Sequence, residues 1–208
     1  MVKVDKGDWD KSKGAEINHQ FNHEWLKRCQ KILKPNGSLM VSGTFHVIYS
    51  IGYAMQQLNM KILNNITWQK PNPPPNLACR YFTHSTETII WAAKNTKSKH
   101  KFNYELMKEI NDDKQMKDVW VMTAPGKAEK TYDKHPTQKP LSLLDRLILA
   151  ATDEGDLVLD AFNGSGTTGV SCIRTNREYI GIELEKEFIQ LSEKRFSEQT
   201  KLNDKLSA

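Results

Sequence analysis

Leu157-Val158-Leu159-Asp160 runs without a break into Ala161-Phe162-Asn163-Gly164-Ser165-Gly166-Thr167-Thr168-Gly169, an apolar strand-like stretch that empties into small residues and then resumes with helical spacing. Glycines at such a turn omit the Cβ that would hold a ligand away, and the backbone N–H groups at the start of the helix face whatever approaches. The next strand-like stretch, Tyr179-Ile180-Gly181-Ile182-Glu183, ends in a carboxylate. It falls roughly 20 residues past the loop, the spacing at which an acid accepts hydrogen bonds from ribose hydroxyls. Together the two features imply a ligand that contains a nucleoside. No Gly-Lys-Ser/Thr follows the glycines, and the three-glycine dinucleotide spacing is missing, which disfavours phosphate on this loop.

These residues need a scaffold, and the rest of the chain supplies one. Trp25, Leu26, Cys29, Ile32 and Leu33 recur at three-to-four spacing and predict a helix over Asn22–Leu33, stopped by Lys34-Pro35-Asn36-Gly37. Ser38–Thr44 follows as a strand, Ile48–Leu58 as a helix, Lys61–Lys70 as a strand and Thr86–Ala93 as another. The prolines of Pro71-Asn72-Pro73-Pro74-Pro75-Asn76 cannot donate to a sheet ladder and mark a loop. From Lys94 to Lys134 the pattern loosens into polar and charged pieces. It then returns as a helix from Leu141 to Ala151, a strand Asp156–Asp160, a helix Thr167–Thr175, a strand Glu178–Glu183 and a helix Glu187–Phe196. Strands alternating with helices predict an α/β fold, a doubly wound, mostly parallel sheet in one domain over residues 1–208. Trp68 and Trp91, in strands, are expected in the core.

Composition narrows the classes. No apolar run approaches the roughly 20 residues of a membrane span, and the N-terminus has no apolar signal core. The expectation is a cytoplasmic protein without a membrane partner. Cys29, Cys79 and Cys172 are three widely separated thiols with no CxxC pair, which argues against both a disulfide framework and a metal site. A net charge of +5 favours a polyanionic partner. Lys94, Lys97, Lys99, His100 and Lys101 concentrate positive charge in mid-chain with no acid among them, and Lys97, Lys99 and Lys101 are candidate phosphate contacts.

A nucleoside cofactor without a phosphate fits S-adenosylmethionine. Asp160-Ala161-Phe162-Asn163-Gly164-Ser165-Gly166-Thr167-Thr168-Gly169 resembles the D-P-F-x-G-S-G-T-T cofactor motif of amino-DNA methyltransferases, with Ala161 in place of the proline. His135-Pro136-Thr137-Gln138-Lys139-Pro140 resembles the H-x-T-Q-K-P element that precedes it, and Tyr179–Glu183 resembles the acidic ribose motif that follows. Their order is that of the circularly permuted β class, with the catalytic half first. The resemblance implies an S-adenosylmethionine-dependent methyltransferase fold. It assigns Asp160, Phe162, Gly164, Ser165, Gly166, Thr167 and Glu183 to the cofactor, and Thr137, Gln138 and Lys139 to its methionine end.

Gly7-Asp8-Trp9-Asp10, Leu63-Asn64-Asn65-Ile66-Thr67-Trp68-Gln69-Lys70-Pro71-Asn72-Pro73 and Arg80-Tyr81-Phe82-Thr83-His84-Ser85-Thr86-Glu87-Thr88 are similar to adenine-N6 methylases of the DpnA (GATC) or GANTC type. This implies methylation of adenine in DNA within a restriction-modification system, with DNA as partner and a homodimer or a cognate endonuclease as companion. It places Arg80, Tyr81 and His84 on the DNA side, and makes 1–93 the remainder of the catalytic half, 94–134 the DNA-recognition segment and 135–208 the cofactor half. The family's D-P-P-Y motif, which bonds the amine and stacks the base, occurs nowhere in these residues. The expectation is therefore a chain lacking the N-terminal segment that carries the motif and a central strand, and weakly active or inactive alone. The alternatives are a catalytically dead DNA- and cofactor-binding remnant and an N4-cytosine methylase.

Overall fold

The computed structural model describes residues 13–132 and 136–207; Gly7-Asp8-Trp9-Asp10 and His135 lie outside the described residues. The chain forms two compact units. One holds the residues up to Lys101 together with Gln115–Met122, and the other holds Phe102–Lys114 and the residues from Thr123 onward. The 94–134 segment is thus shared between them.

The first unit contains α1 (Ala15–Ile32), β1 (Ser38–Gly43), α2 (Ile48–Gln57), β2 (Lys61–Gln69), β3 (Thr86–Ala93) and, after an excursion into the other unit, β4 (Val119–Val121). Its sheet has the order β1-β3-β2-β4. Strand β3 is antiparallel to both β1 and β2, whereas β4 is parallel to β2, so β1, β2 and β4 run one way and β3 alone is reversed. This sheet is mixed, where the sequence predicts a mostly parallel one. A parallel crossover needs a dozen or more residues, usually with a helix. The proline-rich 71–85 connection forms none, so β3 folds back beside β2. Lys70 closes the base of that excursion, its N–H donating to Ser85 O at 2.7 Å and its Nζ pairing with Glu87 at 2.5 Å.

Leu26 of α1 and Ile48, Ile51, Ala54 and Met55 of α2 pack with Ile90 and Ala92 of β3 to form the core. Trp68 and Trp91 are buried as expected, and the Trp68 indole donates to Met122 O at 2.8 Å, tying β2 to the residue after β4.

The second unit contains α3 (Tyr104–Glu109), a 3-10 turn (Ala128–Lys130), α4 (Leu141–Ala151), β5 (Leu157–Asp160), α5 (Thr167–Arg174), β6 (Glu178–Gly181) and α6 (Lys186–Ser207). β5 and β6 pair in parallel, Asp160 opposite Gly181, as two strands joined by a helix must. α5 packs against both α4 and α6. Between α4 and α5 the Ser171 hydroxyl donates to Asp145 at 2.5 Å. Burial pushes the Asp145 carboxyl above its usual range, partly offset by that hydroxyl and by Arg174.

All three cysteines are free, with Cys29 and Cys172 buried and Cys79 exposed. Burial pushes the Cys172 thiol up to about 12. A disulfide-exchange reagent at pH 8 is expected to titrate Cys79 alone in the native protein, and all three thiols after denaturation, since only an accessible thiol can react as its thiolate. Two fast thiols in the native state would contradict this packing.

Candidate cofactor site

β5 ends at Asp160, and the chain turns through Ala161–Gly166 into α5 with Gly164 at φ 52° and Gly166 at φ 71°. Positive φ is costly for residues bearing a Cβ, which explains glycine at both points. The turn is fixed at each step. Asn163 N–H donates to Ile182 O at 2.9 Å, Gly166 N–H to Asn163 O at 2.9 Å, and Ile182 N–H to Asp160 O at 2.9 Å. The Asp160 carboxylate accepts from Phe162 N–H at 3.0 Å and from the Thr168 hydroxyl at 2.6 Å, clamping the loop to the first turn of α5.

Glu183 meets this loop directly. Its Oε2 accepts Gly164 N–H at 2.7 Å, while Oε1 accepts Leu184 N–H at 2.8 Å and Glu185 N–H at 3.0 Å. An ionised carboxylate has about four acceptor positions, and three are occupied here, so one is left for a hydroxyl. The structure therefore brings Glu183 onto the Asp160–Gly166 loop, 19 residues before it at Gly164. Ser165 and Thr167 are buried in the loop with their hydroxyls 3.2 Å apart, whereas the Phe162 ring is exposed at its rim.

Three supports were not anticipated from the sequence. The Tyr179 hydroxyl donates to Asn163 Oδ1 at 2.5 Å, and its ring meets Phe196 edge-on at 5.7 Å. Burial drives the Tyr179 phenol far above its ordinary range, with the charges of Asp160, Cys172 and Glu183 adding to the effect. It is a neutral strut. Arg195 of α6 donates to Ser165 O at 2.5 Å and to the Thr167 hydroxyl at 3.1 Å. Desolvation lowers its pKa, while the nearby Glu129 charge raises it. Glu129 in turn accepts Leu141 N–H at 2.8 Å through its carboxylate and the Gln138 amide at 2.7 Å through its carbonyl. Glu129 thus holds the Thr137–Pro140 strap and Arg195 holds the glycine loop, with the Glu129 charge acting on the Arg195 guanidinium. The one cue in the sequence is spacing, because Phe188, Leu191 and Arg195 share a helical stripe.

Gln138 is buried, and its amide donates to Glu129 O, which anchors the strap. Thr137 and Lys139 stay half-buried, the Lys139 ammonium donating to Thr137 O at 3.2 Å. Removing the Arg195 guanidinium deprives a loop carbonyl of a charged donor, an interaction worth about 1.5–3 kcal/mol. Arg195→Met is therefore expected to weaken binding of a nucleoside cofactor roughly tenfold, while Arg195→Lys, which keeps a donor, loses less. Equal affinities by calorimetry for wild type and both variants would contradict the link.

The DNA-side residues of the sequence reading divide. Arg80, Tyr81 and His84 lie exposed in the 71–85 connection, at the end of the first unit's sheet where β1 and β2 finish. Lys97, Lys99 and Lys101 follow β3 and lie at the opposite end, about 20–25 Å away at the usual rise per residue. Lys94 is spent on structure, its ammonium donating to Leu33 O and Lys31 O at the C-terminus of α1, where a cation is favourable. Burial, with the Lys61 charge adding to it, lowers the pKa of His100. No group of His, Cys, Asp and Glu among the described residues could hold a metal ion.

The donor set fits S-adenosylmethionine. Two carboxylates flank the loop, the half-buried Arg195 guanidinium is committed to Ser165 and Thr167, and Glu183 keeps an acceptor position for a hydroxyl. That arrangement welcomes a cationic sulfonium and hydroxyls and repels phosphate. Comparison with known proteins agrees. The chain is 57% identical over 204 residues to the Type II methyltransferase M2.DpnII of Streptococcus pneumoniae, covering 98% of this chain and 76% of that one. It is 59% identical over 198 residues to M2.LlaDCHI of Lactococcus lactis subsp. cremoris, covering 95% and 74% respectively. Among solved structures, the M1.HpyAVI–SAM complex superposes with a TM-score of 0.74 at 35% identity, over 88% of this chain and 84% of that one. The DNA methylase family model matches residues 2–194, and the chain therefore belongs to the N6/N4 DNA methylase family, whose methyl donor is S-adenosylmethionine.

Proposed function

We propose that the Gly164–Gly166 loop and Glu183 hold S-adenosylmethionine for site-specific methylation of the N6 amine of adenine in DNA, as the modification arm of a restriction-modification system. The observation that carries this reading is the joint between the Glu183 carboxylate and Gly164 N–H, which fixes an acceptor for ribose hydroxyls against a loop that a ligand can approach closely. The bound cofactor supplies an electrophilic methyl group on a sulfonium. Glu183 orients its ribose. Asp160, through Phe162 N–H and Thr168, keeps the loop in the shape that admits it, and Thr137 and Lys139 of the strap serve its methionine end. The two units work as one methyltransferase domain, with target recognition in the 94–134 segment and phosphate contacts from Arg80, Lys97, Lys99 and Lys101. A cognate endonuclease is the expected companion.

Transfer to an exocyclic amine also requires a base taken out of the stack and an acceptor for its N–H. No residue described here is assigned that role. DNA treated with tritiated S-adenosylmethionine and the complete gene product, then digested to nucleosides, should carry label on N6-methyladenine. Label on N4-methylcytosine would overturn the adenine assignment, and no label in either would overturn the enzymatic one.

A further inference from the structure

At the end of the first unit's sheet where β1 and β2 finish, aromatic rings stack on one another in the open. Phe45, two residues past β1, stacks on His84 with centroids 4.6 Å apart and planes 25° from parallel, and Tyr81 lies on His84 at 5.3 Å with its ring tilted by 32°. His46 lies against the Phe45 ring at 3.8 Å. The outer rings remain accessible, Phe45 being 44% and Tyr81 46% exposed, and the neighbouring Phe82 is 95% exposed.

A flexible tip would not hold rings in this order, and the loop is built to do so. The Asn76 amide donates to Tyr81 O at 2.6 Å, its Oδ1 accepts Ala78 N–H at 3.1 Å, and the Lys70–Glu87 pair closes the base. Charge selects the partner. Residues 71–85 contain Arg80 and no acid, nor does any acid occur from Thr44 to Met60. Exposed π-faces beside a guanidinium, with the nearby Glu87 carboxylate neutralised by Lys70, complement an unstacked nucleobase on a polyanionic strand.

We propose that the Tyr81–His84–Phe45 stack, with Phe82 and Arg80 beside it, is a platform on which a base displaced from a DNA duplex stacks. This rests on DNA as the substrate and adds the mode of contact. The rings grip the base through its face and not its edges, so the platform tolerates any base, and Arg80 holds the adjoining phosphate.

Phe45→Leu and Phe82→Ala test it, the second at a side chain too exposed to bear on folding. Binding of the intact chain to three fluorescein-labelled DNAs would be followed by anisotropy: a paired duplex, the same duplex with a central mismatch, and the single strand. Both variants should bind the mismatched duplex roughly 5- to 100-fold more weakly, the range measured for loss of one base–aromatic stack, and the paired duplex nearly as wild type does. Their salt dependence should be unchanged, whereas Arg80→Ala should lower the salt slope by about one. Wild-type affinity of both variants for the mismatched duplex, an equal loss on the paired one, or a loss confined to the single strand would overturn the platform. A wild-type chain that binds S-adenosylmethionine but none of the three DNAs would instead overturn the DNA reading itself.

Discussion

Gly166→Ala is expected to lower stability by about 2–4 kcal/mol, through overpacking and a strained positive φ together. In a chain of this length that is a fall of roughly 5–15 °C in Tm. A Cβ at this position would lie 2.5 Å from the Ser192 Cβ and 2.9 Å from the Phe196 ring. Neither neighbour can retreat cheaply. Ser192 is buried on α6 and donates to Ile189 O, while Phe196 is held against the Tyr179 ring. To make room, α6 must move from α5, and Arg195, one residue before Phe196, must leave Ser165 O. Cofactor affinity should therefore fall with stability. Thermal melting monitored by circular dichroism, with and without S-adenosylmethionine, checks both effects: the variant should melt lower and lose the ligand-induced rise in Tm. A variant that melts and binds like wild type would mean that α6 does not press on the loop as described.

The second large effect is at Glu183. Glu183→Gln removes the charge and replaces one acceptor oxygen with an NH₂ group, which cannot accept Gly164 N–H in one orientation or the Leu184 and Glu185 N–H groups in the other. Hydrogen bonds to a charged group contribute about 1.5–3 kcal/mol, so S-adenosylmethionine should bind roughly 10- to 100-fold more weakly. Adenine alone, which lacks the ribose, should discriminate little between wild type and variant. That contrast separates loss of a ribose acceptor from general disturbance of the loop. An equal loss for both ligands would point to the loop.

Much of the scaffold was legible where one interaction dominates. β3 is found at its predicted bounds, Thr86–Ala93, because a run of Ile89-Ile90-Trp91-Ala92-Ala93 buried in a sheet interior leaves little ambiguity. Helices whose ends are polar were read short. α6 runs to Ser207 and not Phe196, since its last turns are held by polar contacts such as the Asn203 amide to Ile173 O at 2.9 Å, which leave no apolar period. α1 begins at Ala15, a turn and a half or more before the first apolar stripe. β4 spans three residues and exists through its pairing with β2, a partner some fifty residues earlier.

The same division holds at the site. The glycine loop and Glu183 were readable because each residue type is demanded by local backbone geometry or by one chemical role. Asn163, Tyr179, Glu129 and Arg195 were not, because their meaning lies in pairings such as Arg195 with Ser165, 30 residues apart, and no local rule specifies which buried polar group another will find. The basic cluster shows the limit of charge density as a guide. Charge density marked five residues alike, yet Lys94 caps a helix, and burial together with the Lys61 charge lowers the pKa of His100.

Isothermal titration of the folded 208-residue chain with S-adenosylmethionine tests the central claim most directly. A saturable one-to-one heat is expected, much reduced in Glu183→Gln. A chain that circular dichroism shows to be folded, yet gives no heat with millimolar ligand, would contradict the account at its root.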